Sequence, residues 1–197
     1  RLPMPDPAPI LQVIDLVKHF PVRRGLFGRQ QGVVAAVNGI SFSVDAGQTL
    51  GVVGESGSGK SVTVQSLLGL ARGAQVTGQA MFNGADLITM KPADMRQIRG
   101  AEIGLVFQDP LTSLHPHYRV GKQIAEMILA HQDVPKRAAL TRATELLGQV
   151  GIPHPKLRVN DYPHQFSGGM RQRVVIAMAI ALEPTLLIAD EPTTALD

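Results

Sequence analysis

Apolar and polar residues alternate in the first part of the chain as they do in half-buried strands. The alternation runs over 10–20 and again over 33–44, with a charged, Gly-rich loop predicted at 23–32. A turn at 45–47 leads into 49–53, a short apolar run followed by glycines, which predicts a buried strand. Further strands are predicted at 76–82, 102–107 and 185–189.

Helical periodicity occupies most of the remaining sequence. Helices are predicted at 60–70, 120–131, 136–150 and 168–182. Strands on both sides of a helical stretch indicate an α/β fold with an inserted α-helical subdomain. We predict a flexible, Pro-rich lead-in over 1–9 and one domain over 10–197. Its core comprises 10–111 and 183–197, and its helical subdomain covers about 112–182.

The composition narrows the possible functions. Hydrophobic residues make up 44% of the 197 residues and charged residues 18%, which is typical of a folded globular protein. The net charge of +3 is scattered along the chain, so no nucleic-acid partner is expected. The absence of cysteine removes disulfides and Cys-ligated metals. No apolar stretch approaches the roughly 20 residues that cross a bilayer, and no signal peptide is recognisable.

A glycine-rich loop carries the clearest chemical signal. The segment Gly54-Glu55-Ser56-Gly57-Ser58-Gly59-Lys60-Ser61 matches G-x-x-x-x-G-K-[ST] between a predicted strand and a predicted helix. Glycines let several backbone N–H groups point at one anion, and the helix that includes Val62 directs its positive end there. Lys60 is predicted to contact the β- and γ-phosphates of ATP, and Ser61 to ligate Mg²⁺. The alternative is a Gly-rich turn that happens to contain lysine. Such a turn does not require a strand before it and a helix after it.

Two carboxylates follow the last predicted strand. Asp190 and Glu191 come directly after the apolar run 186–189. Ligands of parallel α/β sheets bind beyond the carboxyl ends of the strands. We therefore predict that Asp190 holds Mg²⁺ and that Glu191 acts on the attacking water as general base or orienter. The alternative is a charged strand end that faces solvent.

Three further motifs resemble those of ABC ATPases, and the resemblance covers nearly the whole chain from residue 10. The segment 166–173 is similar to their LSGGQ signature, 106–110 to their Q-loop and 194–197 to their D-loop. The resemblance implies a P-loop NTPase fold with a mostly parallel sheet and N-terminal antiparallel strands. It also implies a head-to-tail dimer, in which the phosphate loop of one copy and the signature of the other enclose each ATP.

The resemblance assigns roles to further residues. Gln108 would sense the γ-phosphate and Mg²⁺, as a catalytic residue beside Glu191 and Lys60, and Phe20 would stack on adenine unless it is a core residue. Arg171 and Arg173 would either contact phosphate or be solvated. The signature residues expected to cover the partner's ATP are Ser167, Gly168, Gly169 and Met170, with Ser167 as the N-cap of the helix.

Met170, Phe166 and the stretches 95–100 and 107–114 resemble the oligopeptide and dipeptide importer branch, and only His115 departs, where Asn is usual. This implies an ATP-hydrolysing subunit at the cytoplasmic face of the cell membrane, energising uptake of peptides, nickel or glutathione. Its expected partners are a second ABC ATPase subunit, membrane permeases and, indirectly, a solute-binding protein. A non-transport ABC ATPase acting in DNA repair or translation is the alternative. A generic P-loop kinase or GTPase would leave Ser167-Gly168-Gly169 unexplained.

The family carries a switch histidine after the D-loop, beyond the residues in this sequence. We therefore expect residues 1–197 alone to bind nucleotide weakly and to turn over little ATP. The remaining histidines show no metal-ligand spacing.

Overall fold

A computed structural model describes residues 8–24, 29–71 and 75–192. It comprises two compact units, Arg1–Met95 and Arg96–Asp197, which are treated separately below. Within the described ranges, no helix combines the length and the apolar character needed to cross a membrane. The D-loop motif at 194–197 lies outside the described residues.

A four-stranded antiparallel sheet forms the framework of the first unit. Its strands are β1 (Leu11–Arg24), β2 (Arg29–Val44), β3 (Val76–Phe82) and β4 (Ala85–Asp86), in the order β2-β1-β3-β4. Apolar side chains from one face of β1 and β3 form the core, because alternate strand residues point the same way. They are Leu11, Val13, Ala80 and Phe82. The strands predicted at 10–20, 33–44 and 76–82 are confirmed.

The predicted strand at 49–53 is wrong. These residues are not in a strand, and the side chains of Val52 and Val53 are 59% and 94% exposed. A strand needs a neighbouring strand that pairs with its backbone N–H and C=O groups. The apolar character of a sequence does not ensure that such a neighbour is present. Among the described residues, none pairs with this run. It leads through the glycine-rich loop into α1 (Lys60–Leu67), which is shorter than the predicted helix at 60–70.

The second unit contains a pair of parallel strands, β5 (Ile103–Val106) and β6 (Leu186–Ala189). β6 is not buried throughout as predicted, since Leu187 is 46% exposed. The helix α2 (Pro92–Ala101) contains the division between the two units. The other helices are α3 (Pro110–Ser113), α4 (Val120–His131), α5 (Lys136–Gln149), α6 (Pro155–Arg158) and α7 (Gly168–Ala179), with a 3-10 turn at Pro163–Gln165.

The helices between β5 and β6 surround the core of the second unit. Helix α7 packs against α3, α4, α5 and β5. The fully buried side chains at the centre include Val120, Ile124, Leu146, Leu147 and Val174. The helices predicted at 120–131 and 136–150 are confirmed, whereas that at 168–182 ends at Ala179. The domain limits drawn from the sequence, including the helical subdomain at 112–182, stay a prediction.

Candidate functional site

The glycine-rich loop of the first unit closes on its own lysine. Nζ of Lys60 donates hydrogen bonds to the carbonyl oxygens of Gly54 and Glu55, at 2.8 and 3.1 Å. The N–H of Ser58 donates to the Glu55 carbonyl at 3.1 Å. The side-chain ammonium and the loop backbone therefore lie together, so that an anion meeting the loop also meets this charge.

Gly59 fixes the start of α1. Its φ of 95° lies in the left-handed region, and a Cβ there would stand 2.3 Å from the Ala36 carbonyl oxygen of β2. The Gly59 carbonyl accepts the N–H of Thr63 at 2.8 Å and its hydroxyl at 2.9 Å. Only glycine brings the helix start so close to the sheet.

The first turn of α1 has the character of an anion site. It contains no acidic residue, and the N-cap position Gly59 provides no side chain that could accept a hydrogen bond. The first N–H groups of a helix lack intrahelical partners, and the helix dipole adds positive potential there. The backbones of Lys60, Ser61 and Val62 form this turn, as the sequence predicts. Ser56 and Gly57 lie in the exposed turn before it, with φ of 82° at Gly57.

Phe20 lies on β1 opposite Val34 and is half-buried. Nζ of Lys18 stands 5.4 Å from the centre of the Phe20 ring and donates to the Ala71 carbonyl oxygen at 2.9 Å. Lys18 is fully buried, and this burial lowers the pKa of its ammonium group. The sequence analysis did not predict that the ammonium group of Lys18 lies near the Phe20 ring. The adenine-stacking role of Phe20 stays a prediction.

In the second unit, Gln108 and Glu191 are in direct contact. Nε2 of Gln108 donates a hydrogen bond to Oε2 of Glu191 at 2.6 Å. Since β5 and β6 are parallel, their carboxyl ends lie at the same edge, and each of these residues follows one of them. The N–H of Asp190 donates to the Val106 carbonyl oxygen at 2.9 Å, which extends the pairing one residue beyond β6.

The backbone turns sharply at Glu191. Its φ of 47° lies in the left-handed region, where a non-glycine residue is uncommon and carries strain. Glu191 is exposed, and Asp190 is half-buried. These neighbouring residues thus differ in their access to solvent, and their roles as base and metal ligand stay predictions.

The available donors match magnesium chemistry. A carboxylate must accept a hydrogen bond, so the amide nitrogen of Gln108 faces Glu191 and its Oε1 is the atom able to ligate a cation. The Asp190 carboxylate is a second oxygen donor in this unit, and Mg²⁺ prefers oxygen ligands. Among the described residues, no cluster of three or more His, Cys, Asp or Glu side chains is suited to a metal.

Ser167 caps α7 as predicted. Its Oγ accepts the N–H of Met170 at 3.3 Å. The next residue, Gly168, opens the helix, and apart from its chain neighbours and its own helix backbone no atom of the described residues lies within 4 Å of the position that a Cβ would occupy. Ser167 and Gly168 are exposed, Gly169 is half-buried, and no acidic residue lies in the first turn. The start of the signature helix is therefore accessible to solvent, and its contact with nucleotide stays a prediction.

The two signature arginines hold the surrounding loops. Nε of Arg171 donates to the Pro163 carbonyl oxygen at 2.8 Å, and Nη1 of Arg173 donates to that of Val150 at 2.8 Å. The sequence analysis offered phosphate contact or solvation for these two arginines. It did not predict that they hold neighbouring loops. The contacts anchor the start of α7 to the 3-10 turn and to the end of α5.

Gln123 on α4 organises the segment that follows Gln108. Its side-chain Oε1 accepts the N–H of His115 at 2.8 Å, and Nε2 donates to the carbonyls of His115 and Tyr118 at 3.0 and 2.8 Å. Gln123 is 8% exposed, whereas His115 and Tyr118 are exposed. A polar residue within a helix gave no signal by which sequence reasoning could find this role.

The predicted site residues are divided between the units. Phe20 and the phosphate loop belong to the first unit. The second unit contains Gln108, Asp190, Glu191 and the signature from Ser167 to Met170. Within the second unit, the side chains of Gln108 and Glu191 are hydrogen-bonded, and their roles at a reaction centre stay predictions.

A family model described as ABC transporter matches residues 37–194. The chain belongs to the ABC transporter family. It is 56% identical over 191 residues to the oligopeptide transport ATP-binding protein OppD of Bacillus subtilis, covering 95% of this chain and 51% of that protein. It is 54% identical over 174 residues to the dipeptide transport ATP-binding protein DppD of Lactococcus lactis, covering 87% and 50%. The chain spans about half the length of these curated relatives.

The fold is that of solved ATP-binding cassettes. The dimeric post-hydrolysis structure of the cassette MJ0796, bound to ADP and Pi, has a TM-score of 0.81 and 24% identity, covering 95% of this ABC chain and 76% of that chain. The predicted fold class, a P-loop NTPase core with an inserted helical subdomain, is confirmed. The likeness at this identity concerns the fold alone.

Proposed function

We propose that this ABC protein binds and hydrolyses ATP to energise an importer for peptides or related small solutes. The observation that carries the proposal is the phosphate loop, in which Lys60 lies against the backbone of Gly54 and Glu55. A folded-back lysine and a helix start without acidic residues suit a triphosphate rather than a cation. The oxygen donors described above would hold Mg²⁺, which neutralises charge on the phosphates.

The contact between Gln108 and Glu191 supports a hydrolytic role. A general base must be held within hydrogen-bond reach of the proton it takes, and the hydrogen bond from Gln108 orients the carboxylate of Glu191. In this proposal, Glu191 orients or deprotonates the attacking water, and Gln108 senses the γ-phosphate.

The exposed signature supports ATP-dependent dimerisation. In the proposed head-to-tail dimer, the N–H groups at the start of α7 bind the γ-phosphate of the nucleotide held by the partner's phosphate loop. ATP closes this interface, and hydrolysis opens it. The dimer would consist of two identical chains or of this chain and a second ABC subunit.

The relatives favour transport as the purpose of the ATPase. Proteins named for oligopeptide or dipeptide transport match this chain at 46–56% identity. We propose that permease subunits dock on the segment from Gln108 to Val120 and on the neighbouring helices, at the cytoplasmic face of the membrane. The exposed His115 and Tyr118 lie in this segment, with Gln123 holding its backbone.

Reconstitution tests the proposal. The full-length protein and its neighbouring permeases, in lipid vesicles, should hydrolyse MgATP faster when a peptide-loaded binding protein is added, and peptide should accumulate across the bilayer. The Lys60→Ala protein is the matched control and should support neither process. ATP hydrolysis that is stimulated by DNA or ribosomes and not by permeases would contradict transport and favour the alternative ABC class.

A further inference from the structure

Gln172 is the one buried glutamine on α7, and its amide is unsatisfied. The residue is only 1% exposed. Among the residues that the structure describes, neither Nε2 nor Oε1 of Gln172 has a hydrogen-bond partner. Burying an amide without partners is costly, and such groups are rare in folded proteins. This position therefore calls for a specific reason to retain a glutamine.

Gln123 shows how the same side chain is accommodated elsewhere in this unit. It is buried to a similar degree, at 8% exposed, yet both of its polar atoms are hydrogen-bonded to the backbone of the loop after α3. The unit can thus satisfy a buried glutamine. The contrast marks Gln172 as a group without partners in this arrangement of α7.

The position of Gln172 connects the signature with the Gln108 segment. Gln172 lies one turn after Gly168 and two turns before Ala179, so the three share one stripe of the helix. At the far end of the stripe, the Ala179 carbonyl lies against Gly104 of β5. β5 ends two residues before Gln108, and α7 also packs against α3, which begins two residues after it.

We propose that Gln172 is a positioning residue for ATP hydrolysis, whose amide forms hydrogen bonds with the backbone of segment 107–113 only when nucleotide shifts α7. This inference rests on the proposed ATPase function. In the arrangement described here the amide lacks partners, which disfavours this arrangement relative to one that supplies them. A γ-phosphate bound at Ser167 and Gly168 would pull on the same helix. Gln172 would then transmit the shift to Gln108, which contacts Glu191.

The test compares Gln172→Met with the matched control Gln123→Met in the full-length protein. Methionine has a similar length and no amide. Without nucleotide, Gln172→Met should unfold at a higher urea concentration than the wild type, because an unsatisfied group is removed, whereas Gln123→Met should unfold at a lower one. The kcat of Gln172→Met should fall about threefold to tenfold, as expected for the loss of one neutral hydrogen bond, with little change in KM.

The urea midpoint and the kcat of Gln172→Met together distinguish a positioning role from a purely structural role. A structural role would lower the urea midpoint of Gln172→Met, and that result would overturn the proposal. A wild-type kcat in Gln172→Met would also overturn it. If Gln172→Met does not fold, Gln172→Leu is measured, and failure of both to fold counts against the proposal. A wild-type protein that binds no ATP refutes the proposed function instead, and with it the premise of this inference.

Discussion

Replacing Gly168 by alanine separates the stability of the signature helix from its function. Gly168 is the first residue of α7, and its φ is not in the left-handed region. Within the part of the chain that the structure describes, no atom beyond its chain neighbours and its own helix backbone lies within 4 Å of the site of a new Cβ. The chain itself therefore accommodates the methyl group without strain. In the proposed dimer, however, this methyl group would stand where the partner's γ-phosphate meets the first N–H groups of α7.

The expected magnitudes have opposite signs. Alanine is favoured over glycine within helices by about 1 kcal/mol, and less at the first position, so the free energy of unfolding should rise by about 0–1 kcal/mol. Loss of a hydrogen bond to a charged group costs about 1.5–3 kcal/mol, which is about a 10- to 150-fold fall in ATP turnover. A more stable but less active variant is the expected result.

The assay pairs urea unfolding with steady-state MgATP hydrolysis by the full-length protein. Gly148→Ala on α5 is the control, because its new Cβ would make an ordinary 3.7 Å contact with Pro155, and it lies outside the proposed site. Gly148→Ala should keep wild-type turnover. If Gly168→Ala also keeps wild-type turnover, the assignment of this helix start to phosphate binding is refuted.

Four other substitutions test the first unit. Lys60→Ala should weaken ATP binding at least about 30-fold in equilibrium titration, because the phosphates lose their partner charge, and unchanged affinity would contradict the loop assignment. Gly57→Ala should cost about 1–2 kcal/mol of unfolding free energy for its φ of 82°, whereas Gly59→Ala should cost clearly more, because its Cβ would also overlap the Ala36 carbonyl; equal urea midpoints would contradict this packing. Burial lowers the pKa of Lys18, so between this lowered pKa and the ordinary value of 10.5 Lys18 binds fewer protons in the folded protein than in the unfolded chain, and stability should rise as the pH rises through this window. Lys18→Met should flatten this rise in urea unfolding, and an unaltered pH profile would show that Lys18 does not cause it.

The sequence predicted those parts of the fold that depend on local pattern. The helices α4 and α5 follow from apolar periodicity, and the cap at Ser167 follows from its place before Gly168 and Gly169. That Gln108 and Glu191 lie close together could be predicted from the order and direction of the strands. Both residues follow predicted strands, and strands that pair in parallel bring their carboxyl ends to one edge.

Features that depend on tertiary partners could not be predicted. The run 49–53 has the composition of a buried strand, but whether a strand forms depends on a neighbour that composition does not specify. Gln123 and Gln172 are both polar residues within helices, so the sequence does not distinguish them. The amide of Gln123 is hydrogen-bonded because a loop packs against α4, whereas the amide of Gln172 has no hydrogen-bond partner among the described residues. Lys18 likewise occupies a strand position whose burial sequence alone does not reveal.

The central claim is that ATP is enclosed between the phosphate loop of one copy and the signature of another. Glu191→Gln keeps the side-chain length at this position but removes the carboxylate that would serve as base, so ATP should bind without being hydrolysed. Light scattering during size-exclusion chromatography should show the purified Glu191→Gln protein as a dimer with MgATP and as a monomer after ATP is removed. A Glu191→Gln protein that binds MgATP and remains monomeric would contradict the claim.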